Sequence, residues 1–557
     1  MSIKYLSRLA VMIMCACATA CGGNDDSDPE PTPTPPTPET PTPGESDLSK
    51  YVCPTYADNY TPVADWSRRS SWNLANVHDP SVMKAADGYY YMYQTDASYG
   101  NAHNSDVRNS NKHGHFFCRR SKNLVDWEFL GATMVGLPSW VKTKLNEIRT
   151  QMGIAERPDS YFANDLDFGY WAPCVRKVSD NLYRMYYCIT CPGTINGNGT
   201  WSERAFIGMM ETSDPSKVNS WEDKGYVITN ASDKGLSFNV NATDWNRCYF
   251  KYNAIDPSFI ITPEGKHWLV YGSWHSGFAA VELNATTGKT LAELPKPFGT
   301  DSEIAAYGKL IFTRTLNNRW QGAEAPEVVY RNGYYYLFVA YDALDVPYNT
   351  RVLRSRNVDG PYETMDGKVT DAAKGANESP AVLTHPYKFS QGSGWVGISH
   401  CAVFDDGAGN WFYASQQRLP ANVSGINASN AVMMGGVRSI KWLSNGWPVV
   451  MPERYGAVPQ EQIKESELVG EWEHIDLAYS YGKQKTAATV TLTADHKAVG
   501  AWNNAAWSFN ATTGTLTIGG TELMVQREVD WEANPRKVTI VYSGLSGNKS
   551  LWGKKKQ

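Results

Sequence analysis

The stretch Asp87-Gly88-Tyr89-Tyr90-Tyr91-Met92-Tyr93 sets a tight turn ahead of an alternating, aromatic-rich run, and the chain repeats this arrangement four more times. The copies are Asn181-Leu182-Tyr183-Arg184-Met185-Tyr186-Tyr187, Gly265-Lys266-His267-Trp268-Leu269-Val270-Tyr271, Asn332-Gly333-Tyr334-Tyr335-Tyr336-Leu337-Phe338 and Gly409-Asn410-Trp411-Phe412-Tyr413. A turn built on Gly or Asn followed by such a run is a β-hairpin signature. Successive copies lie roughly 70 to 95 residues apart, long for one propeller blade unless loops are inserted between strands. Five copies predict an all-β chain built on a five-bladed β-propeller. A β-sandwich with several hairpins is the competing arrangement.

A short phrase precedes each hairpin by about eight residues: His78-Asp79-Pro80-Ser81, Trp171-Ala172-Pro173, Ile255-Asp256-Pro257-Ser258, Glu324-Ala325-Pro326 and Gly397-Ile398-Ser399-His400. The first strand of each blade lines the central channel, so positions in register converge near the axis. Asp79, Trp171, Asp256, Glu324 and His400 are then expected to face one another. Pro suits the first residue of a strand, at the channel mouth. Any single Asp-Pro reads more simply as a turn or strand start. Three acids at matched positions permit more, because cleaving a glycosidic bond takes a carboxylic acid to protonate the leaving oxygen and a carboxylate to activate water or attack the sugar. Neighbouring like charges and desolvation raise carboxyl pKa values, so one member can keep its proton near neutral pH.

The ends of the chain read differently. Lys4 and Arg8 flank an apolar run, Leu9 to Ala20, too short to span a bilayer and fitting a signal peptide over 1–20. Ala18-Thr19-Ala20-Cys21 resembles a bacterial lipobox with Cys21 as the lipidated residue, ordinary signal cleavage being the alternative. Residues 21–48 form a Pro/Thr/Glu-rich stalk that cannot build a core. The propeller is expected over 49–460. Over 461–557 new alternating segments, such as Thr513-Gly514-Thr515-Leu516-Thr517-Ile518 and Lys537-Val538-Thr539-Ile540-Val541-Tyr542, predict a small lipocalin-like β-barrel. The net charge of −5, from 52 basic and 57 acidic residues, offers no basic field for nucleic acid. The 20 Trp and 32 Tyr supply flat faces on which sugars stack, although all-β proteins are aromatic-rich anyway. Cys188 and Cys191 read as a strained disulfide or two inert strand thiols, and His113 and His115 as exposed residues of a polar insertion.

The ordered set of phrases across roughly residues 70 to 455 resembles glycoside hydrolase family 43, and within it the endo-arabinanases. The resemblance implies that Asp79 is a general base activating water with inversion, Asp256 a pKa-tuning residue and Glu324 the general acid. Glu327 is a lower-ranked rival acid. It further implies that Asn253 and Ser273 contact arabinose and that His400 holds a calcium ion, otherwise largely water-coordinated, at the propeller centre, sodium or plain water being the alternatives. Trp171 has the position and shape to stack on a furanose ring, a channel-wall core residue being the alternative. The expected substrate is α-1,5-linked arabinan of pectin side chains, met by a monomer lipid-anchored at the surface of the outer membrane. An exo-acting arabinofuranosidase or xylosidase shares the mechanism. A non-catalytic glycan-binding lipoprotein would explain the anchor, stalk and aromatics, but would not require three acids in register.

Overall fold

A computed structural model describes residues 47–64, 66–95, 114–193, 202–231, 251–298, 302–316, 321–421 and 433–556. The signal peptide, Cys21, the stalk up to residue 46 and His113 lie outside the described residues.

Four separate four-stranded antiparallel meanders account for most of the body. The first runs Ser81–Lys84, Tyr90–Tyr93, His115–Ser121, Glu128–Met134; the second Gly169–Ser179, Leu182–Cys191, Arg204–Thr212, Glu222–Thr229. The third runs Ser258–Ile261, His267–Tyr271, Phe278–Leu283, Lys309–Phe312, and the last Val396–Asp405, Trp411–Arg418, Met434–Trp442, Pro448–Val450. Each turn-plus-aromatic copy is the hairpin joining the first two strands of its sheet, and Gly88, Gly265, Gly333 and Gly409 take the positive φ such turns need. The innermost strand of each set packs on its two neighbours, so these strands close a ring around one channel in a propeller-like arrangement. Apolar residues fill the wedges between sheets, for example Tyr91, Tyr93, Val175, Tyr187 and Phe206 between the first two. The segment before the first strand closes the ring: Gly435 N–H donates to Leu74 O and Val77 N–H to Met433 O.

Five separate blades are not what forms. The strands between the third and last meanders, Ala323–Arg331, Tyr334–Tyr341, Asn349–Ser355 and Ala381–Thr384, continue into the C-terminal strands as one 14-stranded sheet. The reason is an edge: Ala381–Thr384 would present unpaired backbone to solvent, and Val382 instead pairs in parallel with Lys549 of the last strand. That last strand, Lys549–Lys555, also pairs with Gly470–Asp476 and with Lys537–Ser546, which closes the C-terminal strands into a barrel around Trp472, Leu492, Trp507, Leu516 and Tyr542.

An N-terminal strap crosses the joint between propeller and barrel. Arg536 donates to Pro54 O and Tyr56 O at 2.9 and 2.6 Å, and its guanidinium and that of Arg454 both pair with Asp58. Two further expectations resolve at this level. Cys188 and Cys191 are buried free thiols, not a disulfide. His115 is not exposed: it is buried, stacked on Tyr170, with Nε2 2.9 Å from Asp165 Oδ2. The polar insertion precedes it, but the strand it begins is turned inward.

Candidate active site

Just before or within the first half of each inner strand one non-glycine residue adopts left-handed backbone: Asp79 (φ 46°), Ala172 (43°), Asp256 (53°), Ala325 (56°) and His400 (51°). Such a residue costs about 1–3 kcal/mol and needs fixed surroundings. Strand register shifts there, between Trp171 and Cys174, Glu324 and Glu327, and Ser399 and Cys401, in the manner of β-bulges. The released backbone N–H groups are met from neighbouring sheets: Ala172 by Thr95 Oγ1 (2.7 Å), Ala325 by Asp256 Oδ2 (3.0 Å) and Asp79 by Gln416 Oε1 (3.0 Å). The matched positions are thus Asp79, Ala172, Asp256, Ala325 and His400. Trp171 and Glu324 stand one residue earlier, a one-residue correction to the register inferred from the phrases.

The charged side chains meet at this mouth. Asp79 Oδ1 lies 2.9 Å from His400 Nδ1 and 3.3 Å from His78 Nε2, and Oδ2 accepts from Thr95 Oγ1 at 2.7 Å. Burial alone would raise the Asp79 pKa, but the two imidazoles and the hydrogen bonds from His400 and Thr95 hold it well below the usual carboxylate range. His400 answers in kind: burial opposes its charge, yet Asp79, then Asp256 and Glu324, push it up to about 9. Asp256 is pushed up to about 7 by burial and by the charges of Glu324 and Asp79, against the pull of His400. Glu324 is raised too, chiefly by burial. Its carboxylate accepts from Tyr348 Oη (2.6 Å) at Oε1 and from Ser273 Oγ (3.1 Å) and Trp274 Nε1 (2.7 Å) at Oε2. One carboxylate is thereby kept ionised and another biased toward its protonated form. That division is what general acid–base chemistry requires.

Trp171, Trp274, Glu324 and His400 are the partly exposed members of the site, whereas Asn253 and Ser273 are buried. The Trp171 indole lies over Gly169, where a Cβ would come within 2.5 Å of it. Asn253 donates to Ser273 O and accepts from Asn230, so its amide fixes the turn bearing Ser273 and Trp274. Sequence reasoning missed Thr95, Trp274, Tyr348 and Gln416; the aromatic Gly272-Ser273-Trp274 was the one available signal. Glu327 is no rival acid. It lies deeper on the axis, takes Arg176 Nη2 at 2.7 Å on both oxygens, and accepts from Ser258 Oγ and Val403 N–H. An axial cavity of about 20 Å³, room for one small particle, lies between the mouth and Glu327, lined by Asp256, Glu327 and His400. At the far mouth a cleft of about 630 Å³ opens between the ends of the inner strands, and no catalytic candidate lines it.

The model of glycosyl hydrolases family 43 matches residues 74–448, and that of a C-terminal lipocalin-like domain matches 452–553. An extracellular endo-α-(1→5)-L-arabinanase of Thermotoga petrophila is 26% identical over 523 residues, covering 88% of this chain and 95% of its own. A second such enzyme, from Bacillus subtilis, is 23% identical over 519 residues, covering 89% and 96%. The crystal structure of an endo-1,5-α-L-arabinanase from Thermotoga petrophila superposes with a TM-score of 0.64 at 23% identity, covering 87% of this chain and 99% of that one. At that identity the superposition speaks for the fold. With the family model matching residues 74–448, more than half of the chain and the stretch that holds Asp79, Asp256 and Glu324, the chain belongs to glycosyl hydrolase family 43 and is a glycoside hydrolase.

Proposed function

We propose that this enzyme is an endo-acting, inverting arabinanase that cleaves α-1,5-linked L-arabinan outside the cell, held at the outer-membrane surface as a lipoprotein through Cys21. The observation that carries the chemistry is the opposite displacement of two carboxyl groups at one mouth: Asp79 held ionised and Glu324 held toward its acid form. Asp79 takes a proton from water attacking the anomeric carbon, and Glu324 donates one to the departing glycosidic oxygen. Asp256 tunes the pair through its charge and through its bond to the Ala325 N–H beside Glu324. Trp171 and Trp274 offer indole faces to the sugar. The two full-length relatives named as endo-α-(1→5)-L-arabinanases support the substrate. The propeller is read as five-bladed, with the strands from Ala323 to Thr384 as a blade fused to the barrel.

A calcium ion on the axis fits these residues in one form only. Calcium takes six to eight oxygen ligands, and around the axial cavity the carboxylates are engaged by His400, the Ala325 N–H or Arg176. An ion there would be held by His400 and mostly by water, and the imidazole would have to release its proton. Such a charge would favour ionised carboxylates.

The test is incubation of residues 46–557 with debranched arabinan and with xylan, with and without chelator, following product lengths. A ladder of arabino-oligosaccharides that vanishes in Glu324→Gln is expected. Arabinose alone would make the enzyme exo-acting, xylan products would replace the substrate, and activity unchanged by chelator would remove the cation.

A further inference from the structure

The C-terminal barrel does more than cover an edge. Its segment after Gly470–Asp476 lies along the propeller: Ser480 N–H donates to His385 Nε2 at 3.1 Å, and Lys485 and Thr486 pair in parallel with Tyr387 and Lys388. From this segment Tyr479 reaches into the propeller. Its ring packs 4.7 Å from the Arg351 guanidinium and 6.0 Å from the His385 ring, and its hydroxyl donates to Asp342 Oδ2 at 2.7 Å.

Asp342 is a junction. It is buried, has left-handed backbone (φ 71°), and follows the strand that pairs with the acid's own, Glu324 opposite Ala340. Its N–H donates to Gly322 O, two residues before Glu324, and its Oδ1 takes Arg314, which also holds Gly322 O. The Oδ2 that receives Tyr479 also receives Asn349 Nδ2 at 3.0 Å. Asn349 is wholly buried and adjoins Tyr348, whose hydroxyl holds Glu324 Oε1. Burial and the Glu324 charge raise the Tyr348 pKa well above its ordinary value, so Tyr348 keeps the proton it donates. One carboxylate thus joins the barrel to both strands that fix the catalytic acid.

We propose that Tyr479 is a positioning residue for catalysis: through Asp342, Asn349 and Tyr348 the barrel sets the orientation of Glu324 toward the leaving oxygen. This rests on the reading of Glu324 as general acid. A residue that acts by orienting an acid matters when the leaving group needs a proton and little when it does not. A residue that merely stabilises the fold affects every substrate alike.

The experiment compares wild type, Tyr479→Phe, Tyr348→Phe and the double variant on debranched arabinan and on an aryl arabino-oligoside whose nitrophenolate leaves unprotonated. Tyr479→Phe keeps the ring and its packing, so the melting temperature should hold while kcat on arabinan falls about tenfold, KM stays, and aryl-glycoside turnover changes less than about twofold. Tyr348→Phe should show the same selectivity more strongly, and the double variant no further loss, because both act on one chain of contacts. Equal losses on both substrates, or losses that multiply in the double variant, would overturn the proposal. Wild-type turnover alone decides whether arabinan is the polymer; the ratio of losses can equally be taken on xylan and an aryl xyloside, so the two readings fail separately.

Discussion

Two rings of side chains stand two residues apart on the same inner strands, and their characters are opposite. The ring at the catalytic mouth, Asp79, Ala172, Asp256, Ala325 and His400, has left-handed backbone throughout, and its charges displace one another's pKa values. In the deeper ring each side chain ties its sheet to the next: Ser81 accepts from Val175 N–H, Cys174 from Phe259 N–H, Ser258 from Val328 N–H and Glu327 from Val403 N–H. Only Ala402 breaks the sequence, having no acceptor. The contrast teaches how a strained, charged mouth persists. The sheets are already locked in register one layer below, and the mouth inherits a geometry it does not have to hold by itself.

Cutting the deeper ring should therefore cost stability and spare chemistry. Glu327→Ala takes the carboxylate from the half-buried Arg176 guanidinium and leaves the buried Val403 N–H without its acceptor, and should destabilise the fold by about 1–3 kcal/mol. Denaturant unfolding would show this, while kcat per folded molecule changes little; a collapse of kcat at unchanged stability would place Glu327 in the chemistry after all.

The mouth should respond to pH instead. Glu324, raised by burial, keeps its proton above the range of an ordinary glutamate and loses catalytic competence as pH rises through its own value. Asp79, lowered by His400 and His78 against burial, remains a competent base at pH values where ordinary aspartates have taken up protons. The kcat/KM profile should stay level where free carboxylates titrate and then fall about tenfold per pH unit on the alkaline side. A profile falling first on the acid side would reverse the assigned roles.

The smallest effect concerns backbone strain alone. Ala172→Gly removes a Cβ from left-handed backbone (φ 43°) at a mouth position that carries no charge, and should raise stability by about 1 kcal/mol. A loss on calorimetry would mean that the methyl packing outweighs the strain.

Much of this contrast was legible in sequence, and the limits have physical causes. The hairpins showed because turn residue and alternation are local, and Asp79, Asp256, Glu324 and His400 showed because they keep a fixed offset from those turns. The offset is good only to one residue, since a bulge adds a residue that leaves no compositional trace; hence Glu324 and Trp171 are displaced by one from the left-handed positions. Gln416, 337 residues from Asp79, and Tyr348 arrive from other strands and loops, which no local pattern announces. The fused sheet depends on two edges meeting, Val382 and Lys549, far apart in the chain. His115 was misread because a polar neighbourhood in sequence says nothing about the way a strand faces.

The N-terminal strap has a mechanical consequence. Tension applied at the N-terminus meets Glu461 at the Leu48 N–H and Gly456 O at the Tyr51 hydroxyl, and then Arg536, whose guanidinium spreads the load over two backbone carbonyls and, with Arg454, over the Asp58 carboxylate. Arg454 follows the last propeller strand and Arg536 lies in the barrel, so force enters where the two domains meet and is shared by both. The catalytic side chains make none of these contacts, so a pull on the N-terminal segment is borne by groups other than the acid and base.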